Sequence, residues 1–120
     1  MDKDKEKERR KTPRFQFIAP AELVCEKSGE RIQSWVADLG LHGCAVTTKE
    51  TPRRGTVLSM KIGHTPRETV LAQAVVVHSA QQRAGIRFMA VTPASLEMLG
   101  KWLSTAKFPL RRKKAGDRDD

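Results

Sequence analysis

A mainly β domain, a six-stranded antiparallel barrel or split barrel followed by one C-terminal α-helix, is what this sequence predicts. Three observations carry that expectation. Short apolar runs rich in Val, Ile, Leu and Thr recur between residues 21 and 89, each bounded by turn-forming Gly, Pro or Ser. After residue 91 the apolar spacing changes from strand-like to helical. The chain has 120 residues, 38% of them hydrophobic, with no tyrosine and two tryptophans, so it suits one domain with one modest, mostly aliphatic core.

The elements follow in order. Pro13 holds Thr12 extended and stops any helix there, after which Phe15, Phe17 and Ile18 dock the chain and Pro20 punctuates it. Residues 21–26 alternate loosely as a first strand, with Leu23 and Cys25 inward. Lys27 to Glu30 form a turn, residues 31–38 a second strand and residues 43–48 a third. Between them Gly40 and Gly43 interrupt an apolar run, and Asp38 opens the turn, where a carboxylate accepts hydrogen bonds from turn N–H groups. A loop at 51–55 precedes a fourth strand at 56–62, and Gly63 to Pro66 turn the chain again. Residues 69–78, apolar at successive positions, read as a central strand covered on both sides. A polar loop at 79–84 leads to a short last strand at 85–89. Thr92 caps a helix over residues 93–105, where proline is harmless at the first position. Leu96, Leu99 and Leu103 mark its apolar stripe, with Met98 and Trp102 beside them.

The net charge of +9 is concentrated at the ends. Residues 1–14 and residues 107–120 each carry +3, leaving +3 for the 92 residues between them, so a basic face on the folded body is not required. This divides the chain into a basic leader at 1–14, a globular domain at 15–106 and a charged tail at 107–120. Residues 1–11 lack the apolar content to fold alone and are expected to be disordered unless held. They show no signal-peptide pattern, and the longest apolar run is Ala74–Val77, far short of a membrane span, so a cytoplasmic location without membrane insertion is expected. Cys25 and Cys44 fall in strands and are expected to be buried and reduced. Together with His64 and His78 they show no zinc spacing, so no metal or cofactor is assigned. Ser34, His78 and Asp38 have no nucleophile elbow around the serine, and no catalytic role is assigned. His42 reads as an exposed turn residue, and Trp35 and Trp102 as packing.

Two short patterns, in order, resemble the PilZ family of bacterial cyclic di-GMP receptors. Arg10-Lys11-Thr12-Pro13-Arg14, preceded by Arg9, fits the family's R-x-x-x-R just before the barrel. Asp38-Leu39-Gly40-Leu41-His42-Gly43 stands in the place of its [D/N]-x-S-x-x-G between the second and third strands. Gly55 with the apolar strand after it, and Gly85-Ile86-Arg87-Phe88, look like two softer family elements. The resemblance spans roughly residues 9–105. It implies a six-stranded barrel with a C-terminal helix and a ligand site formed by Arg9, Arg10, Arg14, Asp38, Gly40 and Gly43. One position departs: Gly40 stands where the family usually has serine, whose hydroxyl can reach the ligand.

The implied ligand, cyclic di-GMP, is a dianion with two guanines. Arginine can fork onto phosphate, stack on a purine or pair with the guanine O6/N7 edge. Asp38 can accept from guanine N1–H and N2–H2, and the two glycines let backbone approach the base. Ligand would then pin the leader across the barrel and alter a contact with a downstream protein, a switch without catalysis. Two other readings stand beside this one. A PilZ-like interaction module that no longer binds nucleotide is one, with Gly40 as its trace. A basic barrel for single-stranded nucleic acid is the other, and six scattered aromatics, Phe15, Phe17, Trp35, Phe88, Trp102 and Phe108, count against it.

Overall fold

The structure is a computed structural model, and it describes residues 14–105. The expectations placed on residues 1–11, Arg9 and Arg10 included, lie outside the described residues. Among the described residues six strands and one helix follow one another: β1 (Phe15–Cys25), β2 (Arg31–Leu39), β3 (Gly43–Thr48), β4 (Val57–Thr65), β5 (Glu68–Ala80), β6 (Arg83–Val91) and α1 (Pro93–Ser104). All pairings are antiparallel, and the strands close in the order β1-β2-β3-β6-β5-β4. Closure removes every free sheet edge, which is how a small β domain avoids pairing with its neighbours.

The interior is aliphatic. Leu23, Val36, Val46, Leu58, Ile62 and Ile86 are fully enclosed, one alternating row from each of five strands. Buried Ser34 belongs to the same interior, where its hydroxyl donates to the Ala21 carbonyl at 2.9 Å. A serine so occupied, with its side chain inside the barrel, is a satisfied core residue.

Antiparallel order puts the start of β1, the β2–β3 turn, the β4–β5 turn and the end of β6 at one end of the barrel. Helix α1 leaves β6 there and packs against β5, the Ser95 hydroxyl accepting from the Leu71 amide at 2.9 Å. Thr92 caps α1, its side chain accepting from Ser95 N at 3.2 Å, with Pro93 in the first turn. Leu99 and Trp102 join the core, so α1 covers this end. Trp102 stacks on Phe17 at 5.1 Å, with His64 edge-on at 5.5 Å.

Several expectations are corrected. Strand β1 begins at Phe15 and runs through Pro20. Its pairing with β4 starts only at Ala21, so the missing proline N–H breaks no ladder bond on that side. A register shift between Gln16 and Ala19 leaves Ile18 exposed instead of docked. Strand β5 is not covered on both sides: Val70, Ala72, Ala74 and Val76 point inward while Leu71 and Val77 are exposed, because a barrel has a single interior. Strand β4 continues to Thr65, the 79–84 loop shrinks to a turn at Gln81–Gln82, and β6 extends from Arg83 to Val91. The buried stripe of α1 is Ser95, Leu99 and Trp102, and Leu96 is exposed one position to its side. Trp35 is exposed on β2 and does not serve as packing.

Candidate functional site

Asp38 sits at the end of β2, and one irregularity decides where it points. Val36 pairs with Val46 and Asp38 with Ala45, so the register slips by one residue between them. Val46 and Ala45 are consecutive on β3 and face opposite sides of the sheet. Val46 is in the core, so Ala45 and Asp38 point outward. Without that bulge the period of two would carry the Asp38 carboxylate into the barrel with Val36.

Facing outward does not expose it: the Asp38 side chain is only 6% accessible. A carboxylate so enclosed needs charged donors, and among the described residues it has two. Arg14 Nη1 donates to Oδ1 at 2.6 Å, and Arg83 Nη2 lies 3.5 Å from Oδ2. The Arg14 and Arg83 side chains are 42% and 50% accessible, so both guanidinium groups come in from solvent. Arg14 immediately precedes β1, whose Gln16 pairs with Asp38. The end of one predicted motif and the start of the other are thus joined by a charged hydrogen bond.

The β2–β3 turn is closed by the Gly40 amide donating to the Gly43 carbonyl at 2.8 Å. It is tied to β6 by the Phe88 amide donating to the His42 carbonyl at 2.8 Å. His42 is exposed, as expected of a turn residue. Gly43 has a demand of its own: a Cβ there would overlap the Ile86 carbonyl oxygen of β6. That glycine keeps β3 and β6 in contact, a closure role as well as any role toward a ligand. Gly40 is buried, and it is not among the glycines at positive φ, which are Gly29 and Gly55.

Directly after Gly43 the Cys44 thiol is buried against Met60, its sulfur 3.9 Å from the methionine sulfur. Burial pushes its pKa up to about 12, with nearby Arg14 pulling down and Asp38 pushing up. It is a protonated core group at neutral pH. Cys25 is likewise free and buried. Among the described residues no three His, Cys, Asp or Glu side chains come together to hold a metal ion, and no helix is long and apolar enough to cross a membrane.

The structure therefore brings Arg14, Asp38, Gly40 and Gly43 to one place and adds Arg83, which sequence reasoning missed. Arg83 is one basic residue among many in the sequence, and only the β3–β6 pairing carries it to Asp38. Two surface grooves lie away from this cluster. One of about 510 Å³ runs over the outer face of β1, β4 and β5, and one of about 1000 Å³ lies at the opposite end, by the β1–β2 turn and the β3–β4 loop. The cluster itself is a set of charges on an outer surface.

Comparison with known proteins agrees with this architecture. The family model of the PilZ domain matches residues 8–104. Solved structures with the same fold include the PilZ domain of CeSA from a cellulose-synthesizing bacterium, at 13% identity and TM-score 0.63, covering 76% of this chain and 94% of that one. The PilZ domain of YcgR from Escherichia coli, determined with c-di-GMP, is 12% identical with TM-score 0.68, covering 82% and 91%. The Bacillus subtilis inhibitor of motility MotI/DgrA is 16% identical with TM-score 0.64, covering 78% of this chain and 48% of its own. No curated protein matches the chain.

Proposed function

The chain belongs to the PilZ domain family, and from that premise we propose that it is a cyclic di-GMP receptor acting in the cytoplasm through a contact with a downstream protein. The observation that carries this reading is the 2.6 Å pair between Arg14 and Asp38, which joins the two motifs in one charge cluster. Support also comes from the c-di-GMP complex of the E. coli YcgR domain, which shares the fold.

The chemistry is an exchange of partners. In the free protein Arg14 occupies the carboxylate that a guanine edge would take. A cyclic dinucleotide offers both replacements at once: N1–H and N2–H2 for Asp38, and phosphate or O6/N7 for Arg14. Arg9 and Arg10, a few residues upstream in the 1–14 leader, supply further cations. Gly40 and Gly43 leave the turn backbone free of side chains where a base would approach. Binding then holds the leader against the 15–106 barrel and changes the surface presented to a partner, with no bond made or broken.

Gly40 in place of serine favours a second reading, a PilZ module that contacts proteins without nucleotide. Calorimetric titration separates the two. Saturable binding of cyclic di-GMP, with none for GTP or a short single-stranded DNA, is the expected result. Absence of binding at high-micromolar protein, in both wild type and Gly40→Ser, leaves the interaction module.

A further inference from the structure

We infer that Arg83, which lies in neither motif, is a further ligand-binding arginine: it rests on Asp38 in the free protein and turns onto the ligand phosphate when guanine takes the carboxylate. This inference rests on the cyclic di-GMP reading above.

Strand register places the residues. Asp38 pairs with Ala45 of β3, and Ala45 pairs with Gly85 of β6. Arg83 pairs with Thr47, two positions along β3 from Ala45 and therefore on the same outer face. To reach Asp38 on β2 the Arg83 side chain has to cross β3. Ala45 faces outward yet is only 5% accessible, as a side chain bridging from β6 to β2 requires. Two small residues, Ala45 and Gly85, lie along this crossing between β2 and β6.

Charge supplies the direction of the movement. Among the described residues one carboxylate faces two guanidinium groups, and the Arg83 contact is the long one, 3.5 Å against 2.6 Å for Arg14. With half its side chain in solvent, Arg83 is held weakly and leaves at little cost. Asp38 is its ion-pair partner among the described residues, so a guanine edge on Asp38 releases a cation beside a dianion. Arg87 lies on the same outer face of β6, paired with Gly43, and adds to the positive field there. A planar fork suits phosphate better than a point charge does.

The test is calorimetric titration of cyclic di-GMP into wild type, Arg83→Ala, Arg83→Lys and Arg31→Ala at two salt concentrations, with thermal melts of each free protein. Arg31 is the control, because it pairs with Glu22 instead of Asp38. The expected result is at least about tenfold weaker binding for Arg83→Ala, an intermediate loss for Arg83→Lys and none for Arg31→Ala, with little change in melting temperature. Affinity of Arg83→Ala should also depend less steeply on salt, since one cation fewer meets the phosphates. Wild-type binding with Arg83→Ala within about twofold overturns the inference and leaves the receptor reading intact. So does lost affinity with an unchanged salt dependence, which marks a structural role only. No binding by wild type overturns both.

Discussion

Two carboxylates at the same end of the barrel, Asp38 and Glu68, each take two donors among the described residues, and the differences between them set the proposed ligand site apart from an architectural contact. Glu68 accepts from Lys101 Nζ at 3.0 Å and from Trp102 Nε1 at 3.1 Å. Both donors stand on α1, a packed helix, and one positive charge balances one negative. Lys101 above all, and then Trp102, hold the Glu68 carboxyl below its ordinary range. Asp38 is more enclosed, 6% accessible against 23%, yet its donors come from the residue before β1 and from β6. Both are full cations, so among the described residues the cluster carries a surplus positive charge. A balanced pair on rigid elements fastens the helix to the sheet. An over-supplied carboxylate, reached from the start of the described chain, suits the exchange of partners proposed above.

Neutralising each carboxylate in turn breaks the comparison most sharply. Asp38→Asn should weaken cyclic di-GMP binding about 10- to 150-fold, the range for losing one hydrogen bond to a charged group. Glu68→Gln should leave binding within about twofold, because amide and carboxylate fill the same space. Equal losses measured by calorimetry would show that the two sites are not functionally distinct.

A second contrast concerns stability. Among the described residues, Arg14→Ala leaves enclosed Asp38 with only the long Arg83 contact. Breaking a fully buried pair costs about 3–5 kcal/mol, and solvent access to Arg14 reduces this to about 1–2 kcal/mol. Chemical denaturation should therefore detect Arg14→Ala, whereas Arg10→Ala should lower affinity alone. Gly40→Ser then tests how open the exchange site is to a hydroxyl. Since Gly40 is not at positive φ, serine strains no backbone, and one restored hydrogen bond should tighten binding about threefold to tenfold. Weaker binding by titration would mean that the space beside Gly40 is already filled.

Two smaller effects belong to Glu68 and its helix. Its pKa is lowered in the folded state, so its contribution is fully present above the ordinary carboxylate value of 4.5 and is lost as pH falls through the folded value. Melting temperatures of wild type and Glu68→Gln should accordingly differ at neutral pH and converge in acid. Last, a Cβ at Gly100 of α1 meets open space. Gly100→Ala should stabilise the helix by up to about 1 kcal/mol without altering affinity. A loss of affinity there would connect α1 to the ligand site.

Features that depend on neighbours along the chain were legible before any strand was paired. Strand β3 has the expected limits because Gly43 ends the turn that Asp38 opens and a short β-forming run follows it. Helix α1 starts where Thr92 caps and Pro93 leads. The order of strands and the Asp38–Gly43 turn followed from alternation and turn chemistry, and the motif pair pointed to the family. Tertiary structure decided what depends on strands distant in sequence. Pro20 lies inside β1 because β4 pairs only beyond it, and β5 has one wet face because the sheet closes into a single interior. Leu96 and Trp35 are exposed because packing selects which apolar face of an element is used. Above all, one bulge between Val36 and Asp38 turned the carboxylate outward, and the β3–β6 pairing placed Arg83 against it. A period of two specifies that faces alternate, and only the paired strands specify which face is out.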